Sequence, residues 1–475
     1  MRSLYGLLII GCFNVLNALG QEVFVSEDIG IRNDFGYEIL TGWPEDQVML
    51  FRDRLLKYDV EMYDSTLHLK WEKEIDLQRG FTAIIGVVKL DTSFALLYSY
   101  RHEGRIFIAM DYFDSRAELL RQTTLYQTAR GLDLSSFKWA ISEDNSRGVI
   151  FYKKGDKGLF IIPVNLKSPR MRSAIELTFE EQKWRKYFKG VAVTNAGDMA
   201  FAFDMPQRWY SMKERELAVY LINSEGEIEV IKIPPDEAKL LNTTLSVDNR
   251  KQRFVLAGTY GKDRKSEQAT GFWVLKISVA DTSRDEITFL PFSNNLVKKL
   301  TGNRVSKGKG YLEVTDIVLR SDGGVVLFGE VRKKYKRRPE LTRNLDISGP
   351  GMRGWIDYYY EDVVAMSVHP TSDKHWEEVL YKHQYSQDDE AIYSSFFIMK
   401  NPAILRLLYN DDVSGSQTVS EYLLSSEGVL DRKTLLNTTR QKLWLRWRDA
   451  YQTKYNELIV PSQGYNTLNL VKIRF

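Results

Sequence analysis

Apolar and polar residues alternate along this chain in short runs, separated by clusters of Asn, Asp, Gly and Ser. "GEIEVIKI" (Gly226 to Ile233) alternates cleanly, and "GLFIIPV" from Gly158 does so less strictly. A two-residue period puts successive side chains on opposite faces of an extended backbone, so each run predicts a β-strand. The separators predict turns at Asn223 to Gly226, Ser321 to Gly324, Ser425 to Gly428 and Lys154 to Gly158. Glycine supplies positive φ there, while Asp, Asn and Ser side chains bond nearby backbone. Helical periodicity is scarce. The best stretch, "PDEAKLLN" from Pro235, gives two turns at most.

One unit recurs: a turn, a compact apolar strand, a hairpin and a more polar outer strand. The compact strands read "QVMLF" (from Gln47), "FALLYSY" (Phe94), "VIFY" (Val149), "MAFAF" (Met199), "FVLAG" (Phe254), "VVLFG" (Val325), "ILRLLYN" (Ile404) and "ELIV" (Glu457). Their starts lie 47, 55, 50, 55, 71, 79 and 53 residues apart. A supersecondary unit repeating at about 40–50 residues predicts propeller blades, because a four-stranded blade cannot cover its own faces and stacks on neighbours around an axis. The long intervals have visible causes. "SNNLVKKLTGNRVSKGKG" from Ser293 reads as an ordinary long loop, and an insertion at about 332–360 separates the second and third strands of the sixth unit. The expected fold is all-β, a single large β-propeller over residues 21–475 with seven or eight blades of about four antiparallel strands. The last unit has no clear fourth strand, and "EVFVSE" at Glu22 is placed to complete it beside "NTLNLVKIRF". Stacked β-sandwiches or smaller propellers are the competing arrangement.

The first twenty residues change the picture from fold to location. Arg2 is the only charge before Glu22, an apolar run extends from Leu4 to Leu19, and Ala18 and Gly20 are small residues ahead of Gln21. This is the three-part pattern of a secretory signal peptide spanning 1–20. The run is short for a transmembrane span of about 20 apolar residues. Ile9-Ile10-Gly11-Cys12 also fits the pattern of lipoprotein processing, but only Leu4 to Ile10 precede it and an apolar segment follows it. A lipidated cysteine normally opens a polar tether, so cleavage after Gly20 is the favoured reading. Membrane attachment is expected only if Cys12 is lipidated. The expected location is periplasmic, cell-surface or extracellular. Cys12 is the single cysteine, so without the leader no disulfide, CxxC pair or thiolate metal site can form. Once Arg2 is removed, 65 basic residues face 63 acidic ones, a balance that gives no general drive toward nucleic acid.

Common catalytic motifs are absent: no GxSxG elbow, no HExxH and no phosphate loop. "GTYGKD" at Gly258 and "GNRVSKGKG" at Gly302 lack the phosphate-loop spacing and read as turns. His369, His375 and His383 lie within fifteen residues, with Asp373 among them. On a hairpin His369 and His383 fall on different strands with His375 near the turn, so no compact ligand triad is expected. Asp388, Asp389 and Glu390, and Asp411 and Asp412 after Asn410, cluster in loops. They read first as turn residues; calcium is the alternative, and no cofactor is otherwise expected. The most unusual surface is the insertion. Arg332, Lys333, Lys334, Lys336, Arg337 and Arg338 surround Tyr335, and Trp355, Tyr358, Tyr359 and Tyr360 follow. A basic loop with aromatics grips anionic partners, and in an exported protein these are envelope protein or glycan rather than nucleic acid. The bland reading is a solvated hairpin.

The stretch from Ile356 through "LRLLYNDD" resembles a run in uncharacterised exported β-propeller-like proteins of Bacteroidota. The matching residues are Tyr358 to Tyr360, Asp362, Trp376, Lys382, Gln384, Asp388, Ser394-Ser395-Phe396 and Asn410-Asp411. The Gly20-Gln21 junction suits leaders of that phylum. The chain departs from the pattern in having Thr371 to Lys374 where an Asp/Asn-Gly turn is usual. The resemblance implies a lineage and carries no activity. The sequence therefore supports a non-enzymatic binding or scaffold propeller, with two alternatives. One is a glycan-acting hydrolase with funnel carboxylates; the other is an accessory of an outer-membrane secretion system. Three converging carboxylates with an aromatic platform at the axial mouth would favour the hydrolase, and apolar or small residues there would disfavour it.

Overall fold

The eight compact apolar runs are the second strands of eight antiparallel sheets, and each sheet has four main strands. The computed structural model describes residues 21–475 apart from 55–56, 78, 129–133, 156, 169–172, 180–186, 209–210, 234–237, 263–267, 285, 303–310, 337–355, 412, 414–417 and 438–442. Within blades 1 to 7 the main strands pair in sequence order, and blade 8 takes its outer strand from the N-terminal end of the described residues. The first strands of blades 1 to 6 touch one another in succession, which makes the first strand the inner one. The fold is an eight-bladed β-propeller.

The core explains why the second strands read as continuous apolar runs. Among the described residues it is divided into eight clusters, each lying between two adjacent blades. In blade 5, Phe254 and Leu256 pack toward blade 4 while Val255 and Ala257 pack toward blade 6. In blade 3, Ile150 and Tyr152 face blade 2, and Val149 and Phe151 face blade 4. The two-residue period thus separates left from right instead of inside from outside. Each fully buried Val, Leu or Phe contributes roughly 1.5–3 kcal/mol. Fourth strands such as Leu119–Gln127 and Leu430–Asn437 are mostly exposed, which is why they read as polar.

The turns follow a local code. In blades 1, 2, 4 and 7, the third strand meets the fourth through a turn opened by Asp64, Asp114, Asn223 or Ser425. Its side chain accepts backbone N–H groups two and four residues ahead. The residue three positions on has positive φ: Leu67, Ala117, Gly226 and Gly428. This is a type I turn followed by a left-handed bulge residue. Glycine fits that conformation at low cost; leucine and alanine do not.

The ring closes as expected. Glu22–Val25 forms the outer strand of blade 8, pairing antiparallel with Thr467–Arg474 in register Glu22 to Arg474 and Val25 to Val471. Val23 and Val25 pack on the cluster between blades 7 and 8. Arg474 bridges Glu22 at 2.8 Å and Glu457 at 3.0 Å. Lys472, fully buried, donates to the Ser65 carbonyl at 2.8 Å and the Asp46 carbonyl at 3.2 Å, tying blade 8 to blade 1.

Three expectations need correction. The long loop after blade 5 contains an α-helix, Asn294–Gly302. The Ser293 hydroxyl accepts from the Leu296 N–H at 3.2 Å, and Leu296 and Leu300, one turn apart, dock on the cluster of blades 5 and 6. An N-capping serine and that spacing specify a helix even where polar residues dominate. In the stretch from Pro235, Lys239–Leu240 is instead a strand paired with Tyr260 and Gly261, while 234–237 lie outside the described residues. Gly258 is a strand residue rather than a turn. An added Cβ there would come within 1.8 Å of the Asn242 carbonyl, so close backbone approach requires the glycine. The other glycine-rich stretch falls largely in 303–310, outside the described residues.

The closure predicts its own weakness. A variant lacking residues 22–25 is expected to lose roughly 2–3 kcal/mol of unfolding free energy, from two half-buried valines and four ladder positions. It should also aggregate through the freed Thr467–Arg474 edge. Urea denaturation and light scattering check this; an unchanged midpoint would show that the strand is dispensable.

Candidate binding rim

Because strands alternate in direction, the second-to-third strand hairpins and the blade-to-blade crossovers emerge on one edge of the ring, here the upper rim. Blade 6 is unusual there. Its second and third strands, Val325–Lys336 and Ile356–Val368, have 12 and 13 residues, against 7 and 8 for their counterparts in blade 7. After the fourth strand, Lys374–Leu380, the chain turns back as Gln384–Gln387 and pairs with Asp357 to Tyr360. The result is a three-stranded tongue. Tyr335, Tyr359 and Tyr385 form an aromatic ladder on one face, with centroids 5.7 and 5.0 Å apart. On the other face Lys334 lies over the Tyr358 ring at 5.2 Å. Tyr360 receives Arg332 at 5.2 Å, Lys382 at 5.8 Å and Arg448 at 4.7 Å.

A buried polar network anchors the tongue. Glu330, fully buried, meets Lys382 Nζ at 2.6 Å, Arg332 Nε at 2.7 Å and the Ser395 hydroxyl at 2.8 Å. Lys382 also donates to Gln384 Oε1 at 2.9 Å, and the same oxygen accepts the Ser395 N–H at 2.7 Å. Ser395 holds φ at 78°, an uncommon conformation for serine that these bonds fix in place. Gln384 Nε2 donates to the Asn410 carbonyl at 2.7 Å, and Asn410 Oδ1 accepts from Trp447 Nε1 at 2.9 Å. Blades 6, 7 and 8 are thereby joined. Burial alone would raise the Glu330 carboxyl, but the Lys382 and Arg332 charges outweigh it and hold it below its ordinary value. Burial lowers the Lys382 ammonium against the pull of Glu330. Burial pushes Asp362 up to about 6, despite the Lys382 N–H that its carboxylate accepts at 3.2 Å.

The structure brings several sequence-marked residues together and disperses others. Arg332 to Lys336 lie on a ladder-paired strand rather than in a loop, because the tongue extends the hairpin past them. Lys333 pairs with Glu361 at 2.9 Å and Arg332 with Glu330, so two of the basic charges are neutralised within the blade. Lys334 and Tyr335 are exposed, whereas Tyr358 is buried. Arg337, Arg338 and Trp355 lie outside the described residues. Asp388 exchanges two hydrogen bonds with the Ile356 backbone, at 2.7 and 3.0 Å, and so closes the tongue. Asp389 accepts the Ala391 N–H at 2.8 Å within a turn. Asp411 is held by the Ser420 hydroxyl and by Arg432 at 2.7 Å. Asp412 is outside the described residues. No group of three His, Cys, Asp or Glu side chains among the described residues is arranged to hold a metal. His369 opens a turn on the opposite, lower rim; His375 sits in the following strand with its ring 4.4 Å away; His383 lies apart in the crossover.

Sequence reasoning missed a recess of about 330 Å³ on the upper rim, at the seam between blades 1 and 8. Phe35, Tyr37 and Glu38 line it from one end of the chain; Arg446, Asp449, Tyr451 and Gln463 line it from the other. Arg446 bonds Gln463 and bridges Asp449 at 2.5 Å, and its guanidinium lies 5.8 Å from the Tyr37 ring. The Tyr451 hydroxyl donates to Glu38 Oε2 at 3.4 Å. Desolvation raises the Glu38 carboxyl, the Asp449 charge adds to this, and the Tyr451 bond opposes it. A second cavity, about 450 Å³, opens among the lower ends of the inner strands of blades 3 to 7. Ile141, Val191, Ala192, Leu245, Val247 and Ile317 line it, with Glu143, Asp248, Arg250, Arg320 and Lys400 also in its wall.

No protein-family model matches the chain, and no curated protein does. Solved structures similar to it include an uncharacterized protein of Listeria monocytogenes EGD-e, with 7% identity over 79% of this chain and 90% of that one and a TM-score of 0.38. The β-propeller domain of the Trilobed protease of Pyrococcus furiosus shows 9% identity over 85% and 99%, with a TM-score of 0.38. The β-propeller domain of Nup133 from Vanderwaltozyma polyspora shows 10% identity over 82% and 100%, also with a TM-score of 0.38. The blade assignment rests on this chain's own strand pairing.

Two outcomes follow from the buried network. Glu330→Gln leaves the fully buried Lys382 ammonium without its carboxylate partner and is expected to cost about 3–5 kcal/mol, whereas Glu330→Gln/Lys382→Met should recover at least half of that. Paired urea titrations check this; a double variant no better than the single would refute the coupling. Folded Asp362 takes up its proton at about pH 6, and an unfolded aspartate does so at about pH 4. Between these values the folded state binds more protons, so this group's contribution to stability rises as pH falls from about 6 to about 4. Asp362→Asn should therefore exceed the wild type in stability at pH 7 by up to about 3 kcal/mol, and the advantage should vanish near pH 4. A pH-independent difference would contradict this.

Proposed function

We propose that the protein is an exported, non-enzymatic binding module that presents the upper rim of its propeller to envelope protein or glycan. The observation that carries this reading is the tongue of blade 6. It projects past the neighbouring blades, exposes Lys334 and Tyr335, and stands on a buried ion-pair network that holds it in one geometry. A preorganised loop binds without a large ordering cost. Export rests on the leader pattern of residues 1–20, which lie outside the described residues. The cavity at the lower ends of the inner strands supports binding over the hydrolase alternative, because the carboxylates in its described lining are Glu143 and Asp248, the latter paired with Arg253 at 3.0 Å, and no aromatic side chain accompanies them. Three carboxylates line the seam recess, Asp34, Glu38 and Asp449, but Arg52 engages Asp34 at 2.8 Å and Arg446 engages Asp449 at 2.5 Å, which leaves Glu38 alone without an arginine partner. Glycoside hydrolysis by the usual route needs two available carboxyl groups.

Replacing residues 337–355 with a short turn, and separately Lys334→Ala/Tyr335→Ala, should leave the melting temperature within about 2 °C, since exposed substitutions shift stability little. Both should abolish recovery of envelope components in a pull-down from envelope extract. Unchanged recovery would count against the tongue as the binding element.

A further inference from the structure

The seam recess has a chemical character distinct from that of the tongue. Phe35, 70% exposed, and Tyr451, 37% exposed, give it aromatic surface open to solvent. Fixed charges of both signs share the same wall. Arg446 is pinned by Asp449 at 2.5 Å, and Glu38 has the Tyr451 hydroxyl at 3.4 Å as its side-chain partner. An anionic ligand entering here meets the Glu38 and Asp449 carboxylates. A cationic ligand meets a guanidinium already lying over the Tyr37 ring. A neutral group that both donates and accepts hydrogen bonds satisfies every side of the site, and a hydroxyl is such a group. A pyranose ring adds an apolar C–H face suited to flat aromatic side chains. The volume, about 330 Å³, lies at the small end of the range for small-molecule sites, about 300–1,000 Å³. The opening faces the same rim as the tongue, so a chain gripped there can reach into the recess.

We propose that the seam recess between blades 1 and 8 binds a neutral hexopyranosyl unit of a glycan. Tyr451 and Phe35 supply the stacking faces, and Glu38 with the Arg446–Asp449 pair supplies hydrogen bonds to its hydroxyl groups. This deepens the binding-module reading and rests on it. The recess exists only because the ring closes: its two walls come from residues 31–39 and 446–463.

The test is a glycan array carrying neutral hexose, acidic and amino-sugar oligosaccharides, probed with the full protein, followed by isothermal titration with the captured oligosaccharide. Capture of neutral hexose oligosaccharides is expected, with affinity reduced at least about tenfold by Tyr451→Ala and by Glu38→Gln, a loss of about 1.4 kcal/mol or more. Both side chains lie at the surface, so unchanged melting temperatures verify that the variants fold. The variant with 337–355 replaced should retain this binding. Preference for acidic or amino-sugar ligands, a blank array, or binding insensitive to both substitutions overturns the proposal. A blank array with tongue-dependent recovery intact overturns only the recess assignment. Loss of both would overturn the binding-module reading as well.

Discussion

A four-stranded sheet that is apolar on both faces cannot stand in water, and the architecture follows from that constraint. Each blade is covered only when a neighbour lies on either side, and a row of blades has no exposed end only when it closes into a ring. The core is accordingly eight wedges with no common centre. The wedge that closes the ring joins the two ends of the described chain. Glu22–Val25 completes blade 8, and Lys472 reaches from blade 8 into blade 1. Ring closure therefore buries the two faces that an open row of blades would leave exposed, and it also creates the recess proposed to bind a sugar.

The same constraint moves functional features to the rims, since the faces of the blades are occupied by packing. Blade 6 uses its upper rim by lengthening two strands and adding a third. Such an extension would be a free hairpin without support, and an isolated two-stranded hairpin is marginal in water. Here the support is the Glu330–Lys382–Arg332 cluster with Gln384, Ser395 and Asn410. Burying these charges is costly, and loss of Glu330 would leave the buried Lys382 ammonium without its carboxylate partner. The network fixes the relative positions of blades 6, 7 and 8, so the tongue has one orientation beside the seam. Arg448 over Tyr360 and the Arg446–Asp449 pair in the recess belong to the same short crossover into blade 8.

How much was legible depended on the range of the interaction involved. The second strands were readable because burial on both faces leaves an uninterrupted apolar run, as in Met199 to Phe203. The turns at Asn223 and Ser425 were readable because their bonds span four residues. The helix at Asn294 was missed because its signal is one capping serine and an apolar pair among lysines and asparagines. Gly258 read as a turn because its requirement comes from the Asn242 carbonyl, which sequence spacing does not reveal. The basic residues 332–336 read as a loop because nothing local announces that Gln384–Gln387 will return to extend the sheet.

The sequence by itself determined the strands, their turns and the strand that closes the ring, because a two-residue apolar period and turn chemistry act over a few residues. It also marked Lys382, Gln384, Ser395 and Asn410, without indicating that they meet. Tertiary structure alone decided that they form one buried network, that Arg332 and Lys333 are already neutralised, and that Tyr37 faces Arg446. Those contacts join residues as much as about 410 positions apart. Hydrogen bonds and ion pairs act over a few ångströms, so only the closed ring sets which distant side chains come within their reach.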